Sequence, residues 1–522
     1  MTEAETGGAA GAGGAEAEAP VGMGPSPVLR DKVVDLAFQP AGSTRALLDD
    51  FLSEPDPGVA LRLWFGECAA LTPPLERRRI FQAIDRDIAW LDALVSEQTN
   101  AILHQPSLQR MEASWRGVRY LVAEAEGQEG IKIRLLNLSW SELCRDLERA
   151  IEFDQSQLFS KVYNEEFGMP GGEPYGVLIG DYYVQHRRTR DHPTDDVAAM
   201  QGISGVAAAA FSPFIVGCSP AFLGIDSFRE LGQPINLKTI LRQPEYTRWR
   251  SLQDTEDARF VGMTLPRVLM RLPYRDDGSR VDGFRFHEEV EDPLRADYLW
   301  GNAVYAFAAL LIRAYSESAW FAEIRGTPQD RISGGIVDSL PIEWFETDAR
   351  GLATRISTDV SISEFQERDL ADMGLIPLCK VKNTTLSAFY SNQSAQVPKT
   401  YTTTVASVNA RLSAMLQYIL CVSRFAHFIK VIGRDRIGSY ATPEECETFL
   451  QRWLHQYVIG SDDASAEMKA RYPLRDGQIK VHERPGRPGV YACTVHLQPH
   501  FQLDDIVSAF KLVTELAPRS AA

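Results

Sequence analysis

Residues 476–498, DGQIKVHERPGRPGVYACTVHLQ, form the stretch around which this chain is organised. Residues 478–484 and 490–498 both alternate as strands do, and in the second Tyr491, Cys493, Val495 and Leu497 share one face. Between them Pro485-Gly486-Arg487-Pro488-Gly489 holds two Pro-Gly steps, the mark of a turn. The stretch is a hairpin. Two strands alone bury little surface and leave two unpaired edges, so other elements of this chain or a second chain must complete it. Residues 506–516 fit a third strand, since Ile506, Phe510, Leu512 and Leu516 share parity, and they also fit a short helix. An open-edged sheet near the end of a large chain is suited to strand addition, with Ile479, Val481, Tyr491 and Val495 as its apolar face.

Composition sets the outer limits. A length of 522 residues suffices for two to four domains with substantial cores. Hydrophobic content of 44% and charged content of 24% are those of an ordinary globular protein. The formal net charge of −16 opposes extended phosphate contacts and so argues against nucleic acid as the main ligand. No stretch approaches the run of about 20 apolar residues that a membrane helix needs, so no membrane insertion is expected. The N-terminus lacks the basic-then-apolar pattern of a signal peptide, which makes a cytoplasmic location the expectation. The seven cysteines contain no CxxC pair, so neither a zinc site nor a disulfide framework is indicated.

Taken in order, the chain divides into four regions. Residues 1–28 are Gly, Ala and Glu with few large apolar side chains, too few to offset the entropy of ordering, and read as a disordered tail. Residues 29–125 read as a helical, partner-binding region. Within it a helix over 75–104 carries Ile80, Phe81, Ile84, Ile88, Leu91, Val95 and Ile102 at spacings of three, four and seven. That stripe suits a partner helix or the chain's own core equally well, and Phe81, Ile84, Ile88, Leu91 and Val95 are the candidate partner-binding residues. Over 126–392 the texture changes to strands alternating with helices. Strands are expected at 131–138 and 177–182, a helix opening at Ser139-Trp140-Ser141-Glu142, another containing 206–210, an apolar run at 214–217 and a buried helix over 298–315. Residues 393–522 hold one long helix within 400–432, apolar almost all round, and then the hairpin. The fold class is α/β, mixed α+β, with a mixed-sheet body.

No catalytic constellation passes a spacing test. Gly168, Gly171, Gly172 and Gly176 match neither a Walker A nor a GxGxxG loop and read as turn glycines. Gly217-Cys218-Ser219-Pro220 is not a nucleophile elbow, because proline replaces the final glycine. His482, His496 and His500 lack a carboxylate or thiol spaced to complete a metal shell. Glu288, Glu289, Glu291 and Asp292 read as a solvated acidic loop rather than an acid–base pair. Trp249, Trp300, Trp320 and Trp453 lie among apolar neighbours and read as core anchors. Neither a cofactor nor a metal is expected.

Longer blocks carry a resemblance. QPSLQRMEASWRGVRYLV at 105–122, FDQSQLFSKVYNEEFGMPGGEPYGVLIGDY at 153–182 and PEYTRWRSLQDTEDARFVGMTLPRVLMRLPY at 244–274 are three of them. NARLSAMLQYILCVSRFAHFIKVIGRDRIGSY at 409–440, SDDASAEMKARYPLRDGQIKV at 461–481 and the PGRPGVY turn complete the set. From about residue 75 onward the chain resembles the large contractile-sheath subunit of bacterial type VI secretion, the TssC/VipB family. The resemblance implies a phage tail-sheath-like fold and a heterodimer with a small sheath subunit (TssB/VipA). It implies self-assembly into a helical tube around an inner tube of Hcp, attachment to a baseplate, and disassembly by a ClpV-type AAA+ ATPase. It also implies that arms of neighbouring small subunits add strands to the C-terminal sheet, that helices of the two subunits pair, and that the chain is not an enzyme. An α/β enzyme with an unrecognised site and a sheath paralogue that no longer polymerises are the alternatives.

Overall fold

Strands buried on both faces are unbroken apolar runs, and β2 (Phe214–Cys218) and β3 (Val261–Leu265) are of this kind, with every residue buried. With β1 (Leu178–Val184), β6 (Ile336–Val337), β7 (Ile376–Lys380) and β8 (Ser387–Phe389) they form a six-stranded sheet in the order β1-β2-β3-β7-β8-β6. The first four strands are parallel, and β8 runs antiparallel to both β7 and β6. The mixed α/β expectation holds. The computed structural model describes residues 29, 42–65, 74–169, 171–279, 283–290, 295–328, 331–343, 356–382, 384–399, 401–435, 442–461, 464–483 and 491–500. The expected tail, the turn of the C-terminal hairpin and the candidate third strand at 506–516 lie outside the described residues.

Alternation along each central strand assigns its side chains to two layers. Phe214, Val216 and Cys218 meet Val197, Met200 and Ile203 of α6 (Asp196–Ala210), while Ile215 faces α7 (Val304–Ser318) together with Ile376 and Leu378. Behind α7 packs α4 (Pro106–Ala125), and the approach is close: a Cβ on Gly117 would sit 2.4 Å from the Tyr305 ring. Asp181 on β1 joins these layers by accepting from Ser114 Oγ at 2.5 Å and Tyr305 Oη at 2.9 Å. His427 fastens the second helical layer to the first. Its Nε2 donates to Ala210 O at 2.9 Å, and burial, then the neighbouring Arg424 guanidinium, hold its pKa down at about 4, so the ring is neutral.

Four expectations are corrected. Residues 131–138 are no strand: the segment makes no ladder, Ile133, Leu135 and Leu136 are exposed, and Lys132 and Arg134 are held by Glu173 and Glu166. The capping box that opens α5 (Trp140–Arg149) is present, with Ser139 and Glu142 bonded reciprocally. The helix expected at 298–315 starts later, since β5 (Trp300–Gly301) pairs with β4 (Val268–Leu269), and Asn302 Oδ1 accepts from Val304 N–H at 3.1 Å. The long C-terminal helix is broken into α9 (Thr404–Ser413) and α10 (Leu416–Asp435). Ala414 O is diverted to Ser394 Oγ at 2.5 Å, and Leu416 N–H donates to Asn392 O at 2.9 Å, so neither continues the helix. Glu288 is no solvated loop residue: at 1% exposure it accepts from Arg271 Nη1 (2.5 Å), Arg271 Nη2 (3.1 Å) and Tyr274 N–H (2.9 Å), with His104 Nε2 at 3.2 Å. Arg271 also donates to Glu112 of α4 at 2.8 Å, so one cation answers the buried Glu288 and the half-buried Glu112 together.

One described stretch, Leu416–Gly433, is long and apolar enough by composition to cross a membrane, at mean hydropathy 1.2. Here Leu416, Leu420, Cys421 and Phe425 are buried within the protein. Of the tryptophans, Trp249 and Trp320 are fully inside, and Trp300 and Trp453 are half-buried.

Contacts divide the chain into two units, Met1–Ala101 with Asp276–His287, and Ile102–Arg275 with Glu288–Ala522. In the described part of the first, α1 (Gly42–Ser53) and α2 (Pro57–Phe65) precede the 30-residue α3 (Pro74–Leu103). Phe51 and Trp64 pack ring to ring at 5.2 Å, and Trp64 Nε1 donates to the buried Asp87 of α3 at 3.2 Å. Replacing Gly117 with Val drives two methyl groups into the Tyr305 ring, and overpacking of this kind costs about 1–3 kcal/mol. The expected result is a lower denaturation midpoint; an unchanged midpoint would mean that α4 and α7 can separate freely.

Candidate assembly interface

On α3 the sequence reading picked out Phe81, Ile84, Ile88, Leu91 and Val95. Phe81, Ile88, Val95 and then Ile102 recur every seven residues, and all four are exposed, at 53, 51, 47 and 62%. Ile84 and Leu91, each three residues on from one of these, are half-buried, and Gln98 takes the next such place. Asp87, three residues on from Ile84 and four before Leu91, is buried and accepts from Trp64 Nε1, so the chain's own side of the helix adjoins the half-buried part of the row. The exposed row has the seven-residue spacing of one position of a coiled-coil seam. Single exposed apolar residues need no explanation, but a row sustained over about six turns does.

The hairpin stands on two helices. β9 (Leu474–Glu483) and β10 (Tyr491–Pro499) are antiparallel, with Val481 opposite Cys493 and Ile479 opposite Val495. Ile479 is fully buried, and Val481, Val495 and Leu497 are half-buried against a cluster built from α10 and α11 (Pro443–His455) that includes Cys421, Phe425, Leu450 and Leu454. Three of the four candidate side chains for strand addition therefore anchor the hairpin on its own chain. Tyr491 pairs with Glu483 through the backbone, and its side chain lies outside the described residues. What the hairpin offers another chain is backbone. On β9 three outward groups are occupied: Ile479 N–H donates to Gln451 Oε1 at 2.7 Å, Val481 N–H to Glu447 Oε2 at 2.8 Å, and Gly477 O accepts from Gln451 Nε2 at 2.8 Å.

Sequence reasoning missed Glu447 and Gln451. Their spacing of four places them on one face of α11, but a Glu and a Gln four apart on a helix occur too often to point to a sheet edge. It also missed a second apolar row, Met111, Trp115 and Val122, exposed on α4 opposite the face that carries Ala113, Gly117 and Leu121. The spacing of four and seven was legible, yet residues 105–122 were read only for their resemblance and not for a face.

The residues scanned for chemistry are not brought together. Ser219 accepts from Ala221 N–H at the head of the turn Pro220–Leu223, and burial pushes the Cys218 thiol pKa up. His496 is exposed, His500 is half-buried, and the His482 side chain lies outside the described residues. Among the described residues no group of three His, Cys, Asp or Glu side chains is placed to hold a metal.

Two family models match in succession: EvpB/VC_A0108 tail sheath N-terminal domain over residues 85–396, and EvpB/VC_A0108 tail sheath gpW/gp25-like domain over 405–516. The type VI secretion system sheath protein TssC1 of Pseudomonas aeruginosa (strain PAO1) is 40% identical over 438 residues, which cover 83% of this chain and 86% of that protein. A chain of the six-fold symmetrised cryo-EM structure of the anti-feeding prophage baseplate aligns at 11% identity and TM-score 0.33, over 60% of this chain and 65% of that one.

The geometry separates the two candidate sets by their effect on the chain alone. Ile479→Ala removes fully buried apolar volume and should cost about 2–5 kcal/mol. Val95→Asp changes an exposed position and should stay within roughly 0.5 kcal/mol. Urea unfolding of both variants checks this, and equal losses would contradict the outward orientation of the α3 row.

Proposed function

The chain belongs to the EvpB/VipB tail-sheath family and is the large structural subunit of a type VI secretion contractile sheath; from that premise we propose how it finds its partners. The α3 row, built on Phe81, Ile84, Ile88, Leu91 and Val95, receives a helix of the small sheath subunit (TssB/VipA) and makes the heterodimer. Ile102 extends the row. The C-terminal hairpin receives extended arms from neighbouring small subunits and links heterodimers into a tube around Hcp, seated on a baseplate. Contraction then propels the inner tube, and a ClpV-type ATPase dismantles the spent sheath through the small subunit. The chain itself works in the cytoplasm and catalyses nothing.

The observation that carries the heterodimer is the heptad row. Four exposed apolar side chains at seven-residue intervals on one 30-residue helix match the way a second helix docks, with each knob entering a hole on the partner. Their exposure also predicts poor behaviour of the chain alone, because an uncovered apolar row invites association.

Co-expression with the small subunit tests the proposal. The pair should co-purify and form tubes visible by electron microscopy. Ile88→Asp with Val95→Asp would bury two unpaired charges and should abolish co-purification, each change costing roughly 2 kcal/mol or more. Normal co-purification of the double variant would remove α3 from the interface. A stable heterodimer that never forms tubes would identify a paralogue that no longer polymerises.

A further inference from the structure

The chain passes between its two units three times, at 101/102, 275/276 and 287/288. Close to each passage, within the second unit, stands a residue of one cluster: His104 by the first, Tyr274 by the second and Glu288 by the third. Glu288 meets both of the others. Its N–H donates to Tyr274 O at 2.9 Å, its carboxylate accepts from Tyr274 N–H at 2.9 Å, and His104 Nε2 stands 3.2 Å from its Oε1. Residues as far as 184 positions apart thus converge on one carboxylate.

Arg271 carries the clasp into the sheet. Its Nη1 and Nη2 hold Glu288 at 2.5 and 3.1 Å, its Nε donates to Glu112 of α4 at 2.8 Å, and its guanidinium lies 4.3 Å from the centre of the Tyr274 ring. Arg116, on the next turn of α4, donates to Glu112 at 2.7 Å and to Tyr274 Oη at 2.9 Å. Arg271 follows directly on β4 (Val268–Leu269), which itself follows the central strand β3. Stability does not account for such an arrangement. The Arg271 and Glu288 side chains are only 7% and 1% exposed, and apolar residues of similar volume in place of a buried ion pair are often as stable or more so. What apolar side chains lack is direction, and every bond here is directional.

We infer that Glu288 and Arg271 are positioning residues: with His104 and Tyr274 they lock the turn after α3 and so set the direction in which its apolar row is presented. This rests on the reading of α3 as the small-subunit interface and adds what keeps that interface in register. Phe81 lies roughly 33 Å along α3 from Leu103, at 1.5 Å per residue. A swing of about 10° at the root would therefore carry Phe81 by about 6 Å, enough to lift a knob from its hole. A tube of many identical heterodimers tolerates no such spread, since each error is added to the next.

Distances between nitroxide labels read the direction of α3. Labels at Arg86→Cys on α3 and Phe365→Cys on α8 (Glu364–Asp372), both exposed positions, are placed in a Cys68→Ser, Cys493→Ser background. The heterodimer should give one narrow distribution. Arg271→Met with Glu288→Leu should keep the denaturation midpoint yet widen that distribution at least twofold. Val216→Ala, which removes buried volume from β2, should lower the midpoint and leave the width unchanged. An unwidened distribution in the double variant, or equal widening in both, would overturn the inference. Glu288→Gln gives a second reading if the double variant does not fold. A carboxamide turns its N–H groups toward donors at one of its two ends, so the distribution should widen while the amides of β2 and β3 stay protected; an unchanged width would overturn the inference. In assembly, the double variant should still co-purify with the small subunit, because the row is untouched, while tubes fall at least tenfold. Full tube yield despite a widened distribution would overturn the assembly role. Failure of the α3 interface itself would show separately, as normal co-purification of Ile88→Asp with Val95→Asp, and leaves the distance result standing.

Discussion

The central strands β2 and β3 have no side that faces water, and the larger unit is arranged around that constraint. A sheet buried on both faces needs two apolar layers, and each large side chain taken out of water contributes about 1.5–3 kcal/mol to holding them. α6 supplies one layer; α7, with Leu416 and Leu420 of α10, supplies the other. Covering one face with a helix so rich in alanine brings backbones close, which is why Gly117 of α4 lies against Tyr305 and why Gly262 of β3 lies under Leu416. One polar group carried inward by this packing is answered several times over. Asp196 at the start of α6 accepts from Trp140 Nε1, Thr194 Oγ1 and Gln185 N–H at 2.7, 2.7 and 2.8 Å, tying α5 and the end of β1 to the same helix.

What the sequence showed follows from what a local pattern can carry. The hairpin was legible because two-residue alternation and Pro-Gly steps are both local, while its register, Ile479 opposite Val495, came from the structure. The α3 row was legible because a period of seven is also local. The break between α9 and α10 was not, since no glycine or proline marks it. Its cause is Ser394 and Asn392, which reach Ala414 and Leu416 only once the fold is formed. Residues 131–138 misled for the opposite reason. Ile-Lys-Ile-Arg-Leu has the alternation of a strand, but alternation states only that a segment is two-faced, not that another strand lies beside it.

Buried charge was the least legible feature. Glu288 stands among acidic neighbours in sequence, and that company favours a solvated loop. Its setting is decided by Arg271, 17 residues away, and by His104, 184 residues away. The candidate interfaces show the same limit. Three of the four side chains proposed for the open sheet edge, Ile479, Val481 and Val495, turn inward to the chain's own helices, whereas Glu447 and Gln451, which bond to that edge on β9, carry no signal of their own.

On the proposed reading the two assembly surfaces differ in the interaction they use, and that difference suits a sheath that contracts. The α3 row recognises by side-chain shape: knobs of defined size accept one partner in one register, and burial of the row makes the contact durable. A strand added to the hairpin is held mainly by backbone hydrogen bonds, each worth about 0.5–1.5 kcal/mol net, so several together give a joint that is firm yet little concerned with sequence. Such a joint orients a neighbour through the ladder while the connecting arm stays free to swing. Subunits linked in this way can rotate past one another with the ladder intact, because the motion is taken up in the arm and not in the sheet. A sheath joined only by apolar faces would have to uncover those faces in order to move.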